Sequence, residues 1–104
     1  MTAATLLVLY GRPDDPAAFD AYYAGTHLPL VKAVPGIRTA SSSAGPVGTP
    51  EGPASWYQVS RYTWDSMAEL QQGLGSEAGA AAAADLPNFA SGGATLLVFE
   101  EHEL

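Results

Sequence analysis

Two short runs near the ends of the chain, Thr5 to Tyr10 (TLLVLY) and Ala94 to Phe99 (ATLLVF), are built almost wholly from aliphatic and aromatic residues. That composition, closed in the first run by Gly11-Arg12-Pro13, predicts a strand at each place. Side chains alternate between the faces of a strand. Leu6, Val8 and Tyr10 therefore share one face of the first run and Leu7 and Leu9 the other, and both faces are apolar. A sheet covered by helices on one side only would leave the second face wet, so the pattern demands cover on both. A chain of 104 residues is one domain with a modest core, yet 47% of it is hydrophobic and only 14% charged. Part of that apolar surface is expected in a subunit interface.

Between the strands, Phe19 to Val34 (FDAYYAGTHLPLVKAV) predicts a helix with Phe19, Tyr22, Tyr23, Thr26, His27, Leu30, Val31 and Val34 on one buried face. Asp15 is a natural N-cap, Pro16 suits the first helical position, and Pro35-Gly36 ends the helix. Pro29 is the anomaly. It has no N–H for the carbonyl of Gly25 and its ring crowds that carbonyl, so a kink or break is expected between Gly25 and Pro29, with Thr26 as a cap for a second segment. The same turn carries His27, the only internal histidine, pointing inward. Local rules broken at one place often mark a site.

Ile37 to Ser43 reads as a polar edge strand. Gly45 to Pro53 (GPVGTPEGP) reads as a mobile hairpin loop without regular structure, either a lid over a pocket or a surface insertion. Trp56 to Thr63 (WYQVSRYT) predicts a third strand, with Trp56, Gln58, Ser60 and Tyr62 on one face and Tyr57, Val59 and Arg61 on the other. Ser66 and Glu69 have the capping-box spacing, and Met67, Leu70 and Leu74 form the stripe of a second helix. Gly73 and Gly75 interrupt it, and an alanine-rich segment follows, closing at Asp85-Leu86-Pro87 and read as close-packed helix without chemistry. The order β-α-β-β-α-β is the ferredoxin-like plan.

Four basic and eleven acidic residues give a net charge of −7, which argues against nucleic acid or an anionic membrane as a partner. No cysteine is present, so thiol catalysis, thiolate metal sites and disulfides are excluded. The start Met-Thr-Ala-Ala-Thr has no basic, apolar leader and no run is long enough to span a bilayer, so a cytoplasmic location is the expectation.

The combination Phe19-x-x-Tyr22-Tyr23-x-x-Thr26-His27-x-Pro29-Leu30, then Pro35-Gly36, a Trp-Tyr-x-Val strand, Trp64-Asp65-Ser66 opening a helix and Asp85-x-x-Asn88-Phe89 before the last strand resembles the EthD family of small dimeric α/β-barrel proteins. The resemblance covers essentially the whole chain, residues 1–104, as a single domain, and its most specific part is the helix with His-x-Pro. It implies an α+β, ferredoxin-like βαββαβ fold, a four-stranded antiparallel sheet with helices on one face, paired through the other face into a homodimer. The wider superfamily spans muconolactone-type isomerases, cofactor-free monooxygenases, polyketide cyclases and dehydratases, and haem proteins, so the fold does not select a reaction. A reductase role lacks support, since no Gly-rich dinucleotide fingerprint is present.

His27 is the candidate catalytic residue. An imidazole donates from one nitrogen and accepts at the other, and its ordinary pKa of about 6.5 suits proton transfer near neutral pH. The alternative is a structural histidine tied to the kinked helix, in a non-catalytic ligand-binding or accessory protein. Tyr23, one turn earlier, can share its patch. Trp56, Tyr57 and Phe89 are candidates for an aromatic pocket, and Arg61 for a carboxylate or enolate partner, each equally able to serve as core, interface or surface ion pair. No cofactor is expected. Haem on His27 alone would need a large pocket, and His27 and His102 form no metal-ligand cluster. The expectation is a small cyclic or aromatic ligand, polyketide- or lactone-like, with cofactor-independent isomerisation, cyclisation or dehydration as the chemistry.

Overall fold

The structure, a computed structural model, describes residues 3–104; Met1 and Thr2, at the start read as lacking a leader, lie outside the described residues. The first strand, β1 (Ala3–Gly11), is central. It pairs antiparallel on one side with β5 (Trp56–Trp64) and on the other with β6 (Ala94–Glu101), while the short β2 (Thr39–Ser42) adds to the far side of β5. The resulting order, β2-β5-β1-β6, is the ferredoxin-like sheet expected from the sequence, with the helices on one face. Gly45 to Pro53 departs from the expectation of no regular structure. Thr49 Oγ1 donates to the carbonyl of Gly52 across a small ribbon of β3 (Gly48–Thr49) and β4 (Gly52–Pro53), which lets so proline-rich a segment pair.

Helix α1 (Pro16–Tyr22) starts as the sequence predicts: the Asp15 carboxylate accepts from the Ala18 N–H at 3.1 Å and Pro16 stands at N1. The helix does not break at Pro29. It widens instead into a π-helical turn, Tyr23–His27, in which the Leu28 N–H bonds the Tyr23 carbonyl five residues back, and continues as α2 (Leu28–Lys32). The expected Thr26 cap is therefore absent; Thr26 is exposed and His27 occupies the cap position with helical backbone angles.

The wide turn explains the spacing of the buried residues. Phe19, Tyr23, His27 and Val31 recur at intervals of four, and in an ideal α-helix of about 100° per residue Val31 would stand roughly 120° off the face of Phe19. One π-turn absorbs a residue, about 100°, and returns Val31 to within roughly 20° of that face. All four are buried.

Helix α3 (Met67–Leu74) is capped by Ser66, whose hydroxyl accepts from the Glu69 N–H at 3.2 Å. Helix α4 (Glu77–Phe89) runs on through Pro87 rather than closing there, so Asp85 lies inside a helix. Ala78, Gly79, Ala82, Asp85, Leu86 and Phe89 form its inner stripe. Its first half, Ala78, Gly79 and Ala82, is small, and α4 packs chiefly on the other helices instead of on the sheet.

The sheet carries its core on the helix side: Ala4, Leu6, Val8 and Tyr10 of β1 stand in register with Trp64, Tyr62, Ser60 and Gln58 of β5. No helix covers β6 as fully. Leu96, Leu97, Val98 and Phe99, on both of its faces, remain 39–46% exposed in the single chain.

Candidate functional site

His27 is 3% exposed, and its Nδ1 stands 2.9 Å from Oδ2 of Asp85, itself 7% exposed. The other carboxylate oxygen of Asp85 accepts from the Tyr22 hydroxyl at 2.6 Å and from Asn88 Nδ2 at 3.0 Å. Burial by itself raises the pKa of Asp85, but the three hydrogen bonds from Tyr22, Asn88 and His27 outweigh it and hold the carboxyl below its ordinary value. The same carboxylate raises the pKa of Tyr22. An ionised Asp85 is an acceptor only, so Nδ1 of His27 carries the hydrogen and donates. Nε2 is then the nitrogen left to accept from a ligand.

The imidazole lies against Phe89, with ring centroids 4.6 Å apart, and 5.8 Å from the ring of Tyr23. It lines an apolar pocket of about 60 Å³ between the helices and the sheet, floored by Leu6, Val8 and Tyr62, roofed by Leu86, with the exposed Leu96 among its lining residues. The stand-off of α4 from the sheet leaves this space. Tyr23 binds its hydroxyl to those of Tyr62, at 2.6 Å, and Ser60, at 2.9 Å. Gln58 Nε2 donates to the same Ser60 oxygen at 3.1 Å. This polar chain pins the first helix to β5.

The remaining sequence candidates lie elsewhere. A bulge opposite Tyr10 and Gly11 inserts one extra residue into β5, so Tyr57 does not share a face with Arg61 as strict alternation predicts. Its ring meets Phe19 edge-on at 5.2 Å and its hydroxyl donates to Asp20 at 2.8 Å. Tyr57 and Trp56 border a separate surface cleft of about 570 Å³, which the Gly45 to Pro53 segment and Arg12 also line. Arg61 is on the opposite sheet face from His27. It grips Glu101 with Nε and Nη2, at 2.7 to 3.1 Å, and Thr5 donates to the same carboxylate. Those bonds, Thr5 first and then Arg61, hold Glu101 below its ordinary pKa. The structure thus groups His27, Tyr23 and Phe89 and separates them from Trp56, Tyr57 and Arg61.

Asp85, the hydrogen-bond partner of His27, is the residue that sequence reasoning passed over. Its signal was present: it is the acid in Asp85-x-x-Asn88-Phe89, on the apolar stripe of an otherwise uncharged alanine-rich face. Among the described residues no group of three or more His, Cys, Asp or Glu stands where it could hold a metal ion, and no helix is long and apolar enough to cross a membrane.

Residues 12–93 match the EthD domain. An uncharacterized 11.0 kDa protein from the thcB-thcC intergenic region of Rhodococcus erythropolis is 41% identical over 95 residues, 90% of each chain. The crystal structure of an EthD family protein from Bacillus halodurans superposes with a TM-score of 0.87 at 34% identity, covering 96% of this chain and 99% of that one. The hydroxynitrile lyase of Passiflora edulis shares the fold at 13% identity, with a TM-score of 0.74 over 99% of this chain and 95% of its own.

Proposed function

The chain belongs to the EthD family, and we propose that it binds a small cyclic or aromatic, polyketide- or lactone-like molecule beside His27 and moves a proton on it without a cofactor. The observation that carries this reading is the His27–Asp85 pair: a buried carboxylate orienting an imidazole that lines an apolar pocket. With Nδ1–H held by Asp85, Nε2 accepts a proton from a substrate carbon or hydroxyl, and the imidazolium so formed is stabilised by the carboxylate until the proton is returned to another atom. Isomerisation, cyclisation and dehydration all fit that cycle. The apolar walls strengthen the charge interactions on which it depends.

A cavity of about 60 Å³ admits little more than one functional group, whereas benzene fills an apolar cavity of about 150 Å³. The ligand therefore presents its reacting edge to His27 and extends outward past Leu96. A second copy of the chain, pairing through the outer face of the sheet, covers Leu97 and Phe99 and gives a homodimer.

Long-range proton–nitrogen NMR of the His27 ring tests the assignment while a panel of small ketones, lactones and phenols is titrated in. The expected result is an Nδ1–H tautomer in the free protein and a displaced Nε2 signal for at least one compound class. An Nε2 signal unmoved by every compound would refute the reading. A non-catalytic ligand-binding or accessory role has one observation in its favour, since Asp85 already satisfies His27 as a structural group. His27→Gln separates the two, losing conversion of a bound ligand but not its retention if the ring transfers protons.

A further inference from the structure

Tyr10 sits at the end of β1 on the helix side, is 0% exposed, and lines the same pocket as His27. Its ring is packed on three sides, edge-on to Phe19 at 5.2 Å and to Tyr23 at 6.0 Å, and tilted over Phe89 at 5.7 Å. Among the described residues its hydroxyl is the one buried side-chain polar atom without a hydrogen-bond partner. The neighbouring tyrosines differ: Tyr22 bonds Asp85, and Tyr23 and Tyr62 bond one another. A buried hydroxyl left unpaired is costly, and phenylalanine would fill the same volume without that cost. The ring alone therefore does not account for a tyrosine here.

We propose that the Tyr10 hydroxyl is a ligand-binding group, donating a hydrogen bond to a carbonyl oxygen of the molecule that enters the pocket; this rests on the reading of that pocket as the ligand site. Burial first, and then the nearby Tyr23 and Asp85, push the pKa of Tyr10 up, so the phenol keeps its proton and is a standing donor. The substrate class narrows accordingly, from any small cyclic molecule to one with a carbonyl, a ketone or a lactone, beside the atom that His27 serves. A donor at that oxygen also favours the enolate that proton removal next to a carbonyl creates. The proton passes from carbon to Nε2, the electron pair moves onto the oxygen, and no further reagent is needed.

The test compares cyclopentanone with methylenecyclopentane, nearly the same shape with and without the oxygen, titrated against the intact protein by NMR in wild type and in Tyr10→Phe. Tyr10→Phe is expected to weaken cyclopentanone roughly three- to tenfold, the worth of one neutral hydrogen bond, and to leave methylenecyclopentane unchanged or tighter. If both probes bind wild type and the ketone is unaffected by the substitution, the Tyr10 assignment falls while the pocket stands. If neither probe shifts the pocket signals of wild type, the pocket reading falls and takes this one with it. Without ligand, Tyr10→Phe should melt at or above wild type, whereas Tyr62→Phe, which breaks the bond to Tyr23, should melt lower. A fall of more than about 4 °C in Tyr10→Phe would reveal a structural partner for the hydroxyl and overturn the proposal.

Discussion

Replacing Asp85 by alanine removes the acceptor from a histidine that has almost no access to water. His27 and Asp85 are 3% and 7% exposed and their contact is 2.9 Å, so the Nδ1–H of the variant is left buried without a partner, at about 1–3 kcal/mol. Asn88 is exposed and Tyr22 half-buried, so both can turn to solvent and add little. The lost carboxyl volume, at the seam between α4 and the π-turn, adds about 1 kcal/mol of cavity cost. The sum, about 2–4 kcal/mol, corresponds to a fall in Tm of roughly 10–20 °C for a domain of this size. Asp85→Asn, which keeps one acceptor oxygen and most of the volume, should lose less than half as much. Calorimetry at one fixed protein concentration reads both. A Tm for Asp85→Ala within about 2 °C of wild type would mean the pair does not hold the helices together, and the orientation argument for His27 would go with it.

Three further outcomes follow from the same geometry. Asp85 is held below its ordinary pKa of 3.8, so the stability it brings is present above that pH and lost as pH falls through the lower value; Asp85→Asn should flatten the acid limb of an unfolding curve measured from about pH 5 to pH 2. A Cβ added at Gly79 would lie 2.3 Å from the carbonyl oxygen of Gly73 and 2.5 Å from that of Leu74, both backbone atoms. Gly79→Ala should therefore cost about 1–2 kcal/mol in urea unfolding, because overpacking outweighs the gain of about 1 kcal/mol in helix propensity. Leu97→Glu, on the outer sheet face beside Leu7, should shift the light-scattering mass from twice 10.7 kDa to 10.7 kDa, and an unchanged dimer would place the interface elsewhere.

What the sequence disclosed, it disclosed through rules that act over a few residues. Apolar residues on both faces of Thr5 to Tyr10 and Ala94 to Phe99 marked the two strands that pair at the centre and edge of the sheet, and Asp15, Pro16 and Pro35-Gly36 bounded the first helix. His27 was legible as inward from spacing alone. The form of the irregularity at Pro29 was not, because a missing N–H is answered equally well by a break or by a wider turn, and packing over twelve residues decides between them. Asp85 was hidden by Pro87, which reads as a stop although α4 carries it in its last turn. The displacement of Tyr57 from Arg61 depends on a bulge whose cause lies in pairing with β1, and nothing within Trp56 to Thr63 announces it.

The π-turn at Tyr23–His27 also sets how this chain can change length. Deleting one residue from it restores an ordinary α-helix, which is locally sounder, and leaves Phe19 and Val31 eleven residues apart, still within roughly 20° of one face. Phe19 and Val31 would keep their neighbours, and the change would be confined to the turn itself, where Tyr23 and His27 would stand one residue closer. The loss of one residue is therefore open to the folded protein at this turn, whereas a deletion within α1 or α2, which hold no extra residue, would swing every side chain beyond it by about 100°.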